Sequence, residues 1–237
     1  MFINDAIEDF SMGNIMKKKA LVGIFIVFLF AAIAVAEAKP SRTIEKKVFI
    51  HRAKGGKPGK PDKPNGGGEK LWYGYSGIHW AELPVTYVVD IALDFTVITE
   101  SFETWDTETA EEVFGTGMSG SVEAGNLDGI NALSFGDYPS ESAIAVTFIW
   151  YWRDTGEIVE VDTLFDTDFA WSTSGEAGKM DLQNIATHEF GHWLVLDDLY
   201  MKPARKQTMY GYSGYGETTK RDLESGDIAG IEEIYGP

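Results

Sequence analysis

The sequence contains no cysteine. That absence removes disulfide frameworks, thiolate metal sites, iron–sulfur clusters and thiol nucleophiles together. Histidine is scarce, with four in 237 residues, so a metal site has to be built from those few imidazoles and from carboxylates. Basic residues are few as well: 20 Lys and Arg stand against 37 Asp and Glu, a net charge of −17. The shortage is localised. Residues 1–70 hold 13 basic and 7 acidic residues, a charge of +6, which leaves −23 on residues 71–237. A body of that charge repels polyphosphate, so nucleic acid is excluded as its partner. What is present, 44% hydrophobic and 24% charged residues, is a globular composition.

Long apolar runs are absent except for one. Lys17-Lys18-Lys19 precedes an apolar stretch from Ala20 to Ala36, broken only by Gly23, and Ala34-Val35-Ala36 or Ala36-Glu37-Ala38 fits a small-residue cleavage site. A basic start, an apolar core and an A-x-A end describe an export signal over residues 1–38, with translation beginning at Met1 or Met16. An uncleaved anchor is the alternative, and the basic flank would then send the body outward. Either way this segment engages membrane or export machinery, and the body is secreted or held at the cell surface. Residues 39–70 carry ten Lys/Arg against three acids and include GKPGKPDKPNGGG. Such a stretch cannot bury a core and reads as an exposed linker, with a short pro-segment docked by charge as the alternative.

From Leu71 onward one domain is expected, burying roughly 70% of its unfolded surface. Strands are expected at 85–91 and 130–135. A helix is expected over 100–114, where Phe102, Trp105, Thr109 and Val113 recur at helical spacing. Residues 143–152 and 158–165 flank a five-residue loop and read as a hairpin. A long helix is expected over 180–196 with Asp181 as its cap, and a last helix over 223–235. Early strands with flanking and following helices make the class α+β, a twisted mixed sheet with a long helix and a C-terminal helix.

On the long helix stands His188-Glu189-Phe190-Gly191-His192. Residues i and i+4 lie about 40° apart around a helix, so both imidazoles reach one cation. Neutral imidazoles suit Zn2+, and a catalytic zinc needs three protein ligands with a position left for water. Glu189 flanks the pair and is placed to take a proton from an activated water and hand it on. The bland reading, two His on a polar helix face, gives no reason for the surrounding sequence.

That surrounding sequence, DLQNIATHEFGHWLVLDD, resembles the extended zinc motif of the metzincins and, within them, the matrixins. Thr208-Met209-Tyr210 stands where those families place a Met-turn, and Gly226–Gly236 resembles the closing helix of matrixin catalytic domains. The resemblance implies a zinc-dependent endopeptidase with His188 and His192 as ligands, Glu189 as general base and Met209 beneath the metal. At the position of the family's third His this chain has Asp198, and at the family's Gly it has Val195. Carboxylate oxygen is a legitimate third ligand, so Asp198 is the preferred candidate, with the adjacent Asp197 and the downstream Glu217 and Glu224 as alternatives. A non-enzymatic interaction module, spoiled at Val195, is the rival reading, and an intact Glu189 argues against it.

The family's edge strand pairs with extended peptide, which points to Ala143 and Ala145, while Tyr210 or Tyr212 would meet the oxyanion or wall a subsite. The His-rich second zinc site of animal matrixins cannot be assembled from four His. His79 and His51 read as bystanders. Asp128, Asp162, Asp166 and Asp168 are candidates for Ca2+, against the plainer reading of solvated acids. The expected partners are protein or peptide substrates, and the expected state is a monomer.

Overall fold

The run A-I-A-V-T-F-I-W from Ala143 to Trp150 is buried at every position. It needs cover on both faces, and that requirement organises the fold. In the computed structural model, which describes residues 42–55 and 73–237, this run belongs to the ten-residue strand β5 (Ala143–Trp152). The preceding strands are β1 (Ile44–Ala53), β2 (Val88–Asp90), β3 (Met118–Gly120) and β4 (Ala132–Gly136), and β6 (Ile158–Asp166) follows. With β9 (Tyr212–Ser213) they form one mixed sheet in the order β3-β2-β4-β6-β5-β1-β9. β2, β3, β4 and β6 run parallel; β5 is antiparallel to both of its neighbours. A minor pair, β7 (Trp171–Ser172) and β8 (Met180–Asp181), precedes the long helix.

Strand alternation sends successive β5 side chains to opposite faces. Ala145 and Ile149 join the main core, where the helices lie; Val146, Phe148 and Trp150 pack in a smaller cluster with Ala124, Ala132 and Leu164. The helices are α1 (Phe95–Asp106), α2 (Leu182–Trp193) and α3 (Ser225–Tyr235). α1 and α2 meet through Phe102 and Phe190, whose rings stack with centroids 3.5 Å apart, and through Trp105, whose indole N–H donates to the Thr187 carbonyl at 2.8 Å. The α+β class, the 153–157 hairpin loop and the Asp181 cap are as expected, the Asp181 carboxylate accepting from the Asn184 amide at 3.0 Å.

Several boundaries differ from expectation: β2 is shorter than 85–91, α2 ends at Trp193 instead of 196, and α1 differs at both ends. α1 starts five residues early, because the Asp94 carboxylate accepts from the amides of Thr96 and Val97. It also ends at Asp106, whose own carboxylate accepts from the Val113 and Phe114 amides and folds 107–114 back as a loop.

The larger correction concerns residues 44–53. They lie within the stretch read as an exposed linker, yet they form β1, paired along its length with β5. The export signal, its cleavage sites and the remainder of that linker fall outside the described residues. No described helix is long and apolar enough to cross a membrane.

Candidate active site

α2 carries His188 and His192 one turn apart with ring centroids 4.9 Å from each other. Each ring is oriented by a backbone carbonyl: Nδ1 of His188 lies 2.6 Å from the Thr208 oxygen, and Nδ1 of His192 lies 2.7 Å from the Leu196 oxygen. A carbonyl only accepts, so Nδ1 carries the proton in both rings and each Nε2 presents a lone pair. Burial pushes both imidazoles down, His192 to about 3, so both are neutral.

The chain then brings a carboxylate to them. α2 stops at Trp193, and Val195 takes a left-handed conformation, φ 62°, the one non-glycine residue with positive φ among the described residues. The turn is locked by the Leu196 amide donating to the Gly191 carbonyl at 3.0 Å. This is the conformation for which glycine is the usual choice, and here a buried β-branched residue adopts it. Beyond it the two aspartates part. Asp197 turns to Lys47, 2.8 Å away. Asp198 places Oδ1 3.2 Å from His188 Nε2 and 3.7 Å from His192 Nε2, while its other oxygen accepts from the Tyr200 hydroxyl at 3.0 Å. Glu217 is occupied by Lys54 and Lys220, and Glu224 caps α3.

His188 Nε2, His192 Nε2 and Asp198 Oδ1 are all buried and all lack a hydrogen-bond partner. Three inward-facing acceptors with no donor between them repel one another, and a cation removes that repulsion. Ligands about 2.0–2.1 Å from a tetrahedral zinc stand roughly 3.3 Å apart, close to the spacings here. The donor set, two neutral imidazoles and one carboxylate, fits zinc.

Glu189 points from the same turn towards β5. Its Oε2 accepts from Thr147 Oγ1 at 2.7 Å; Thr147 in turn contacts Thr163 Oγ1 at 2.8 Å, and Thr163 accepts from the Trp193 indole at 2.9 Å. This relay of donors fixes the carboxylate and leaves Oε1 without a partner. Burial pushes the Glu189 pKa well above its ordinary value, and the Thr147 hydroxyl offsets part of that.

Met209 is fully buried and packs against α2 at Gly191. Its approach depends on glycine in α2: a Cβ at Gly191 would stand 2.1 Å from the Met209 sulfur. Asp227 of α3 holds the turn, accepting from the amides of Thr208 and Met209 at 2.7 and 3.1 Å. The 206–211 turn is therefore fastened to α3 on one side and to His188 on the other.

Ala143 and Ala145, expected to receive an extended peptide, stand opposite Arg52 and His51 of β1. Tyr212 stands beside Arg52 in β9, and Tyr210 and Tyr212 line a cavity of about 340 Å³ with Lys54, Gly55 and Arg205. Of the acids suggested for calcium, Asp166 and Asp168 come within 4.8 Å of each other together with Asp137, while Asp128 and Asp162 stand apart from that group. Both oxygens of Asp162 accept backbone amides, from Gly125 and Ala132, and Asp166 accepts from Tyr138 and Asp168. His79 is exposed.

His51, expected to be a bystander, is instead part of the site. It is buried, meets the His188 ring edge-on at a centroid distance of 3.8 Å, and places Nδ1 3.7 Å from Glu189 Oε1. Phe49, two residues earlier on the same face, stacks on His192. The signal was the short β-branched and aromatic run Val48-Phe49-Ile50 before His51, hidden among lysines and arginines. Thr147 and Tyr200 were missed too, because nothing local marks either as a partner of a distant carboxylate.

Comparison with known proteins agrees with this geometry. The sequence model of the matrixin family matches residues 142–236. A hatching enzyme from Paracentrotus lividus is 29% identical over 126 residues, which is 46% of this chain and 20% of that protein. The chain therefore spans about a fifth of the length of this curated relative. The matched stretch carries β5, β6, α2, the Met209 turn and α3, so the part of the chain that is similar to the matrixins is the part that builds this site.

Proposed function

We propose that this chain is a zinc-dependent endopeptidase, with His188, His192 and Asp198 as the metal ligands and Glu189 as the general base. The observation that carries the reading is the set of three buried, mutually facing acceptors with Glu189 on the same helix turn. Zinc, when bound there, supplies Lewis-acid chemistry towards a water and a peptide carbonyl. The remaining work belongs to the chain. Oε1 of Glu189 takes the water's proton and delivers it to the leaving amine, while Thr147 keeps Oε2 engaged and the carboxylate aimed. Tyr200 holds Asp198, and the two carbonyls on Nδ1 keep both imidazoles in the tautomer that presents Nε2. A substrate would lie extended along β5 in the place that β1 holds in this structure, bound through its backbone and so with little dependence on residue type.

The reading includes export through residues 1–38, an extracytoplasmic location, a linker or pro-segment within 39–70, a catalytic domain over 71–237, and action as a monomer on protein or peptide. The match of residues 142–236 to a peptidase family supports a protein substrate for this site. The test is a digest of a peptide library by the purified chain with and without a chelator, alongside the Glu189→Gln variant. Cleavage that disappears with chelation and is restored by zinc supports the reading; cleavage that survives both chelation and Glu189→Gln overturns it.

A further inference from the structure

We infer that residues 44–53 are a built-in occupant of the peptide cleft, and that His51 covers the working oxygen of Glu189. The inference rests on the peptidase reading for what the cleft is for; the docking rests on geometry alone.

β1 pairs antiparallel with β5 from Ile44 opposite Trp152 to Arg52 opposite Ala143, and it meets β9 in parallel at Arg52 opposite Tyr212. It lies where a peptide added to the β5 edge would lie, joined to the domain only through residues 56–72. The inward side chains of such a strand set its fit. Phe49 covers the His192 ring, with centroids 3.9 Å apart and planes 6° from parallel.

His51 is held by a polar network deeper in. Ser213 Oγ accepts from Lys220 Nζ at 2.5 Å and from Asn184 Nδ2 at 3.3 Å. With both lone pairs engaged, its own hydrogen goes to His51 Nε2, 2.9 Å away. The proton of His51 then sits on Nδ1, which faces Glu189 Oε1, and both of these buried atoms lack another partner. Oε1 is the oxygen that water needs. A strand that served only to complete the sheet has no use for an imidazole buried against that oxygen. Charge pairing to an acidic body is added by Lys47, on the same face as Phe49 and His51, to Asp197, and by Arg42 and Lys54, just beyond the two ends of β1, to Glu157 and Glu217. Latency follows from occupancy, and activation requires that β1 leave.

The experiment uses the full chain with a site-specific protease sequence in place of Asn65–Gly68. After nicking, retention of the N-terminal piece is measured by size exclusion over a dilution series, with reporter-peptide hydrolysis and hydrogen exchange on β5 followed in parallel. The expected result is a retained piece, at least tenfold weaker retention in His51→Ala, and hydrolysis that rises as the piece leaves while β5 and α2 stay folded. Retention unchanged by His51→Ala overturns the role of His51. Full hydrolysis with the piece still bound, or loss of β5 and α2 protection when it leaves, shows β1 to be a permanent strand and overturns the occupant reading. Absence of hydrolysis at every occupancy, with weakened retention in His51→Ala, sinks the peptidase reading and leaves the docking intact.

Discussion

Gly191 and Met209 are in contact so close that no other residue fits at position 191. A Cβ there would also stand 2.9 Å from the Trp105 ring. Gly191→Ala is therefore expected to destabilise the fold by about 1–3 kcal/mol, in spite of alanine's better helix propensity, because overpacking outweighs it. Urea denaturation measures this; an unchanged midpoint would show that the Met209 turn has room to retreat. Met209→Leu, which keeps the volume, is expected to cost less than about 1.5 kcal/mol.

The two aspartates beyond α2 separate by function. Asp198→Ala should lower zinc affinity by more than the 10–100-fold typical of outer partners such as Tyr200. Asp197→Ala should leave zinc affinity nearly unchanged and instead loosen Lys47. Competition with a chromogenic chelator reads both, and the reverse pattern would put the wrong carboxylate on the metal.

Val195 sets two effects against each other. A left-handed β-branched residue costs about 1–2 kcal/mol, which glycine would relieve. Its side chain is fully buried, and losing that burial costs about 1.5–3 kcal/mol. Burial wins, so Val195→Gly is expected to lower stability slightly. In an Asp198→His background the same change should improve zinc binding, because imidazole is longer than carboxylate and needs a looser turn. If Val195→Gly raises the melting temperature of the parent chain, strain dominates instead.

Asp162 gives the fold a pH dependence. Burial pushes its carboxyl up to about 7, only partly countered by the Ala132 and Gly125 amides. Its folded pKa is raised, so the folded chain holds the proton more tightly. The stability from this group is complete below about pH 4 and is lost as pH rises through about 7, with a limiting slope of about 1.4 kcal/mol per pH unit. Asp162→Asn should cost stability at every pH and remove that slope. Parallel stability–pH curves for parent and variant would refute the assignment.

Local pattern carried the centre of the molecule. The 3.6-residue period and Asp181 located α2, and an unbroken apolar run located β5. The pair at 188 and 192 needed only helix geometry. Legibility failed wherever a distant group decided the outcome. The β-branched start of α1, Phe95-Thr96-Val97-Ile98, does not look helical without the Asp94 cap. Asp106 ends that helix through amides seven and eight residues away. β1 is the extreme case: its partner strand begins about ninety residues later, and its lysines resemble those of a tether.

Without β1, the backbone groups of β5 along nine residue pairings would face solvent beside Ile144 and Val146. A long, flat, apolar edge of that kind invites a second chain to pair with it. A freshly made chain lacking residues 44–53 is thus exposed to edge-to-edge aggregation from the moment its hairpin closes. A recombinant domain trimmed at residue 71 is therefore expected to self-associate unless a peptide is supplied to cover that edge.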